Sequence, residues 1–307
     1  MGPEETARAL LADVRRVDGA PHGGDSRRSG RLEAGTRTGL VHLPASFGLE
    51  SGVSLHPAHA AVEVVGPEDA RLVVVLGGLT ADRHVADGPE RAGWWGRLVG
   101  PGRAVDTDRF RVVSVDWLGG AGGSTGPAAS THWPRGASVS TGDQARMLVA
   151  VLDALGVQHA HAVIGASYGG MVALRLAADA PDRIERVCAL AAAHECHPLG
   201  TAVRGLQRSL VSRNGAAART PGQEAFVCLS ESLDRHRVAP EAISVPCTLV
   251  AFDSDRLVPA WTVRALSERA RGPTRYVELY TSAGHEGYLE EGEEVARVLR
   301  EVLAGSP

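Results

Sequence analysis

A mostly parallel β-sheet with helices on both faces is the architecture this sequence predicts, and three observations predict it. From about residue 60, short runs rich in β-branched and apolar residues recur, continuous rather than alternating, as strands buried on both faces require. Helical patterns stand between several of them, and strand followed by helix, repeated, is the signature of parallel crossover units. No apolar run comes near the ~18–20 residues of a membrane span, so none of these elements is expected in a bilayer.

The elements follow in chain order. AAVEVV (61–66), RLVVVLGG (71–78) and FRVVSVDWLGG (110–120) are expected strands, and Asp143–Leu155 carries a helical pattern. HAVIGAS (161–167) leads directly into the helix Tyr168–Ala180, and RVCALAAA (186–193) and CTLVAFDSD (247–255) are further strands. The helix Ala260–Arg271, the strand TRYVELY and the helix Glu291–Leu303 complete the series. Residues 1–38 hold a short amphipathic stretch and then text rich in glycine, serine and arginine, expected to be a flexible extension. The core is expected over 39–195 and 246–307. Between them, 196–245 breaks the rhythm with arginine-rich helical text and the loop-like SRNGAAARTPGQ, as an inserted helical lid would.

Composition removes whole chemistries. The 32 basic residues are all arginines. Without lysine there is no pyridoxal Schiff base, no lysine nucleophile and no P-loop lysine. The arginines are interleaved with 36 acidic residues for a net charge of −4, so no basic stripe points to nucleic acid; a small molecule is the expected partner. Cys188, Cys196, Cys228 and Cys247 show no CxxC or zinc-ribbon spacing, and the N-terminal text lacks the basic patch and apolar core of a signal peptide, which predicts a reduced, cytoplasmic protein. His56/His59 and His194/His197 are spaced i, i+3 but have no third ligand pattern, and no metal is expected.

The chemistry concentrates after the strand HAVI. There Gly165-Ala166-Ser167-Tyr168-Gly169-Gly170 enters an apolar helix, the strand–turn–helix context of a nucleophile elbow. So sharp a turn holds its serine in strained backbone and leaves no room for side chains at the flanking glycines. Ser167 is thereby exposed at a helix N-terminus, where the Tyr168 N–H faces a developing oxyanion. The second oxyanion donor belongs on the loop after an earlier strand; Gly77-Gly78-Leu79-Thr80 lies there, and the Leu79 N–H is the expected group.

Serine is a weak nucleophile at neutral pH and needs a histidine base whose tautomer an acid fixes. Such elbows take these partners in the order Ser, acid, His. Phe252-Asp253-Ser254-Asp255 ends a late strand and Ser282-Ala283-Gly284-His285-Glu286 follows the next. Asp255, which opens the turn, is preferred over Asp253, and His285 is the base. Elbow, oxyanion loop and triad together predict an α/β-hydrolase fold and serine-dependent acyl chemistry.

The text between these residues narrows the prediction. Gly93-Trp94-Trp95, LVGPGRAVDTDRFRVVSVDWLGGAGGSTGP (98–127), SYGGMVAL after the elbow and DRHRVAPEAISVP before the acid strand closely resemble the homoserine O-acyltransferase family, over roughly residues 47–290. The resemblance implies acyl-CoA as co-substrate, no separate cofactor, and the side-chain hydroxyl of homoserine, or of a relative such as serine, as acceptor in a ping-pong cycle. It implies that Arg208, in the Gln207-Arg208 pair of the first lid helix, grips the amino-acid carboxylate. It also brings a homodimer into consideration. The chain departs from the family twice: Glu286 follows the catalytic histidine where the family usually has aspartate, a longer reach that suits a shorter acceptor, and the lid is shorter than usual. Two other readings compete, an esterase or thioesterase with water as acceptor and a non-catalytic binding relative.

Overall fold

The computed structural model describes residues 36–89, 91–128, 133–212 and 220–305. The extension expected over 1–38 falls almost wholly outside them. Its last three residues do not: Thr36–His42 forms strand β1, antiparallel to His59–Val65 (β2), with Thr36 opposite Val65. Sequence reasoning missed β1 because it is an edge strand whose Thr, Arg, Gly and His leave no continuous apolar run; Leu40 points to solvent.

The remaining strands of the main sheet are Leu72–Leu76 (β3), Arg111–Val115 (β4), Ala162–Ala166 (β5), Val187–Leu190 (β6), Cys247–Phe252 (β7) and Thr274–Leu279 (β8). They form one eight-stranded sheet in the order β1-β2-β4-β3-β5-β6-β7-β8, antiparallel over its first three strands and parallel from β4 to β8. Alternation splits the core. Leu72, Val74 and Leu76 join one buried cluster while Val73 and Val75 join the other, and Val163 and Ile164 divide the same way. Both faces therefore need helices.

Seven α-helices supply them among the described residues: Thr141–Ala154 (α1), Tyr168–Asp179 (α2), Pro198–Ser212 (α3), Pro221–Asp234 (α4), Ala260–Arg269 (α5), Gly287–Glu290 (α6) and Gly292–Ala304 (α7). Helix α1 starts two residues before the expected Asp143 because Ser140 is its N-cap and Asp143 its N3 partner in a capping box. Helices α3 and α4 stand between β6 and β7 as the insertion. Part of the text read as a loop is in fact the start of α4, where Thr220, Pro221 and Gln223 are N-cap, N1 and N3. No helix is long and apolar enough to cross a membrane, within the described residues.

Candidate active site

The sheet sets the site. Strand β5 lies between β3 and β6, and Ala166 pairs with Leu190, so Ser167 leaves the carboxyl edge at the centre of the parallel half. Ligand sites of α/β sheets form at that edge. Strands β7 and β8 are adjacent and end in register, Phe252 opposite Leu279, so the loops carrying Asp255 and His285 start side by side.

Ser167 has φ 53° and ψ −118°, a conformation that costs a non-glycine residue of order ~1–3 kcal/mol. Its neighbours impose it. A Cβ on Gly165 would sit 2.2 Å from the Gly169 carbonyl oxygen, one on Gly169 2.5 Å from that of Leu76, and one on Gly170 2.6 Å from the Ala192 Cβ. The Ser167 N–H donates to Leu190 O at 2.8 Å and the Gly169 N–H to Gly77 O at 3.0 Å. Ser167 stands at the N-cap of α2, yet its hydroxyl caps no backbone N–H. It meets His285 Nε2 instead, at 2.7 Å.

His285 Nδ1 lies 2.7 Å from Asp255 Oδ2, and Asp255 Oδ1 accepts from the N–H groups of Leu257 (2.8 Å) and Val258 (2.9 Å). The Asp255 side chain is fully buried, so every acceptor site it fills offsets its desolvation. Burial disfavours the His285 imidazolium, but the charge and hydrogen bond of Asp255, with Glu286 adding to them and Arg204 opposing, hold its pKa above the ordinary histidine value. Asp253 takes no part: it is exposed and accepts from the Thr281 N–H at 2.8 Å. Ser254 ties the two loops, donating to Thr281 O (2.6 Å) and accepting from the Gly284 N–H (3.1 Å).

The Leu79 loop abuts Ser167, since a Cβ on Gly78 would come within 4.0 Å of Ser167 Cβ. Tyr168, fully buried, is held by its side chain: the phenol meets Ser232 Oγ of α4 at 2.7 Å, accepts from Gln144 Nε2 at 3.3 Å, and packs edge-on against Trp117. Burial pushes that phenol's pKa well up. Arg208 does not stand alone in the lid. Its guanidinium pairs with Asp234 (2.7 Å) and donates to Ser230 (3.2 Å), and Arg204 holds the other Asp234 oxygen at 2.6 Å. Glu286 is exposed beside His285.

Tyr288 escaped sequence reasoning, and the Trp94-Trp95 pair was read there only as a family motif. Trp95 donates its indole N–H to the Tyr288 carbonyl at 3.0 Å and Trp94 donates to Asp82 O at 3.0 Å, so the paired tryptophans bind the histidine loop and the loop that follows β3 to each other. Tyr288 follows His285 by one helical turn, the spacing that signals a shared face. The paired histidines turn their rings elsewhere: His59 to Gly123 O (3.0 Å), His56 to Ala45 O and His197 to the Trp261 ring. Among the described residues no three His, Cys, Asp or Glu side chains cluster as metal ligands would.

Residues 71–221 match the family model of the alpha/beta hydrolase fold. A homoserine O-succinyltransferase from Xanthomonas campestris pv. campestris is 32% identical over 300 residues, covering 78% of this chain and 78% of that protein. The chain belongs to the homoserine O-acyltransferase family. Two other relatives align over about half of their own length, 44% of a homoserine O-succinyltransferase from Nitrosomonas eutropha and 46% of a homoserine O-acetyltransferase from Symbiobacterium thermophilum. Among solved structures, the homoserine O-acetyltransferase of Staphylococcus aureus superposes with a TM-score of 0.77 at 22% identity, over 87% of this chain and 95% of that one. Esterase E22 superposes equally, with a TM-score of 0.77 at 17% identity over 87% of this chain and 100% of that one. At such identities the structures speak for the shared fold; the sequence relationship places this member among O-acyltransferases.

Proposed function

We propose that this enzyme moves an acetyl or succinyl group from acyl-CoA to the side-chain hydroxyl of homoserine or serine through an acyl-Ser167 intermediate. The observation that carries the reading is the hydrogen-bonded series Ser167–His285–Asp255, at 2.7 Å and 2.7 Å, set against the Gly77–Leu79 loop in a member of this family.

In the first half-reaction Ser167 Oγ attacks the thioester carbonyl as its proton passes to His285 Nε2. The N–H groups of Leu79 and Tyr168 receive the oxyanion. When the carbonyl re-forms, the C–S bond breaks and His285 returns the proton to the departing CoA thiolate. In the second half the acceptor hydroxyl gives its proton to His285 and attacks the acyl carbon; the bond to Ser167 Oγ breaks, and the serine recovers its proton. Side chains, backbone N–H groups and the co-substrate suffice, without a separate cofactor.

The acceptor is a zwitterion. Arg204 and Arg208 share the one carboxylate of Asp234, which leaves a net positive charge in the part-buried lid cluster, and this supports Arg208 as the anchor of the acceptor carboxylate. Glu286, exposed next to His285, is the group proposed to meet the acceptor amine. Hydrolysis is the second reading, on the ground that a short insertion, 196–245, would admit water more readily.

Product analysis by mass spectrometry separates them, using acetyl-CoA or succinyl-CoA with homoserine, serine or neither, alongside Ser167→Ala. An O-acyl amino acid that the variant fails to make supports the transferase. CoA released equally with and without acceptor, and no acylated amino acid, replaces it with the hydrolase.

A further inference from the structure

The histidine loop holds a second aromatic group at the reaction centre. The 3-10 turn Gly284–Glu286 runs into α6, so His285 and Tyr288 lie one turn apart, and their rings meet edge-to-face with centroids 6.2 Å apart at 79°. Tyr288 is buried, 7% exposed. Three constraints fix it. Gly287 lies flush on Phe252, where a Cβ would come within 2.4 Å of the ring. The Trp95 indole N–H holds the Tyr288 carbonyl at 3.0 Å, and His285 backs the phenol. The hydroxyl thereby reaches the oxyanion loop: the Cβ position of Gly78 is 3.1 Å from Tyr288 Oη and 4.0 Å from Ser167 Cβ. An O–H dipole fixed in a buried, low-dielectric site needs no reorganisation when charge develops beside it.

We propose that Tyr288 is a catalytic residue whose hydroxyl donates to the oxyanion of the tetrahedral intermediate on Ser167, beside the N–H groups of Leu79 and Tyr168. The Gly78 position is left without a side chain because the phenol and the acyl group share that space. The inference rests on the acyl-serine reading, and its test is built so that the two fail separately.

Tyr288→Phe keeps the ring against His285 and removes only the hydroxyl. Loss of one oxyanion donor costs about 10²-fold in kcat. The variant is therefore expected to keep its melting temperature and its KM for acyl-CoA while kcat falls by about that factor. A fluorophosphonate gives a second readout that needs no knowledge of substrate: Ser167 Oγ bonds to phosphorus, fluoride leaves, and the P=O oxygen takes the oxyanion position. Phosphonylation of Tyr288→Phe should slow by a comparable factor. Rates within about twofold of the parent in both assays overturn the proposal. A parent that is phosphonylated but takes no acyl group from CoA refutes the acyl-CoA reading and leaves Tyr288 to be judged on the phosphonylation rates. A parent whose Ser167 is not phosphonylated overturns both.

Discussion

Asp255→Asn isolates the part of the site that the geometry defines most closely. The amide oxygen can still accept from the Leu257 and Val258 N–H groups at 2.8 and 2.9 Å, so the acid loop keeps its shape. The other end of the side chain changes from acceptor to donor, 2.7 Å from His285 Nδ1. To accept that N–H, the imidazole must move its proton to Nε2, where it faces Ser167 Oγ at 2.7 Å and cannot take the serine proton. A tautomer fault of this kind lowers kcat by about 10⁴-fold, or about 5.4 kcal/mol in the barrier. The pH profile should move as well. Burial opposes the imidazolium and the Asp255 carboxylate outweighs it, so without that charge the His285 pKa falls and the acid limb of the residual activity shifts to lower pH. CoA release monitored with a thiol reagent across pH measures both effects. Asp253→Asn, by contrast, touches only the Thr281 N–H and should stay within about twofold of the parent. Asp255→Asn retaining more than about a tenth of the activity, or Asp253→Asn losing as much as it does, would refute the assignment of the acid.

Three further outcomes are expected. Gly165→Ala forces a Cβ to within 2.2 Å of a backbone oxygen, so urea unfolding should report a loss of about 3 kcal/mol or more, while Gly48→Ala, with open space around it, should change little. His236 is buried against Thr141 with its pKa pushed down to about 3, chiefly by desolvation. The unfolded chain takes up that proton near pH ~6.5, so stability is complete above this pH and falls by up to about 1.4 kcal/mol per unit as the pH drops toward 3; His236→Gln should flatten that slope in denaturation measured from pH 7 to 4. Arg208→Met is expected to raise KM for the amino-acid acceptor about 10–100-fold while acyl-enzyme formation in a stopped-flow burst stays unchanged; a loss confined to the burst would assign Arg208 to the donor instead.

The parts of the fold that sequence made legible are those where one residue type has one physical use. GASYGG was readable because only glycine fits the crossings at Gly165, Gly169 and Gly170. Asp255 and His285 were readable because β7 and β8 end together and the acid and base must leave from their ends. Edge strand β1 was not, since half-exposed polar residues have no periodic signature. The start of α4 was misread because Thr-Pro-Gly serves a loop as well as a helix cap, and the capping partner Gln223 decides only once the helix is in view. The sharing of Asp234 by Arg204 and Arg208 is a contact between two lid helices, invisible to any local pattern. Tyr288 went unread: its spacing from His285 fits a shared helical face, but only the fold brings Gly78 and Trp95 to it.

The most direct test of an acyl-serine transferase is intact-protein mass spectrometry of the enzyme mixed with acetyl-CoA or succinyl-CoA and no acceptor. One acyl group is expected on Ser167, absent from Ser167→Ala, which persists until homoserine or serine is added and then leaves as the O-acyl amino acid. No adduct, or an adduct that discharges into water as fast as into the amino acid, would contradict that reading.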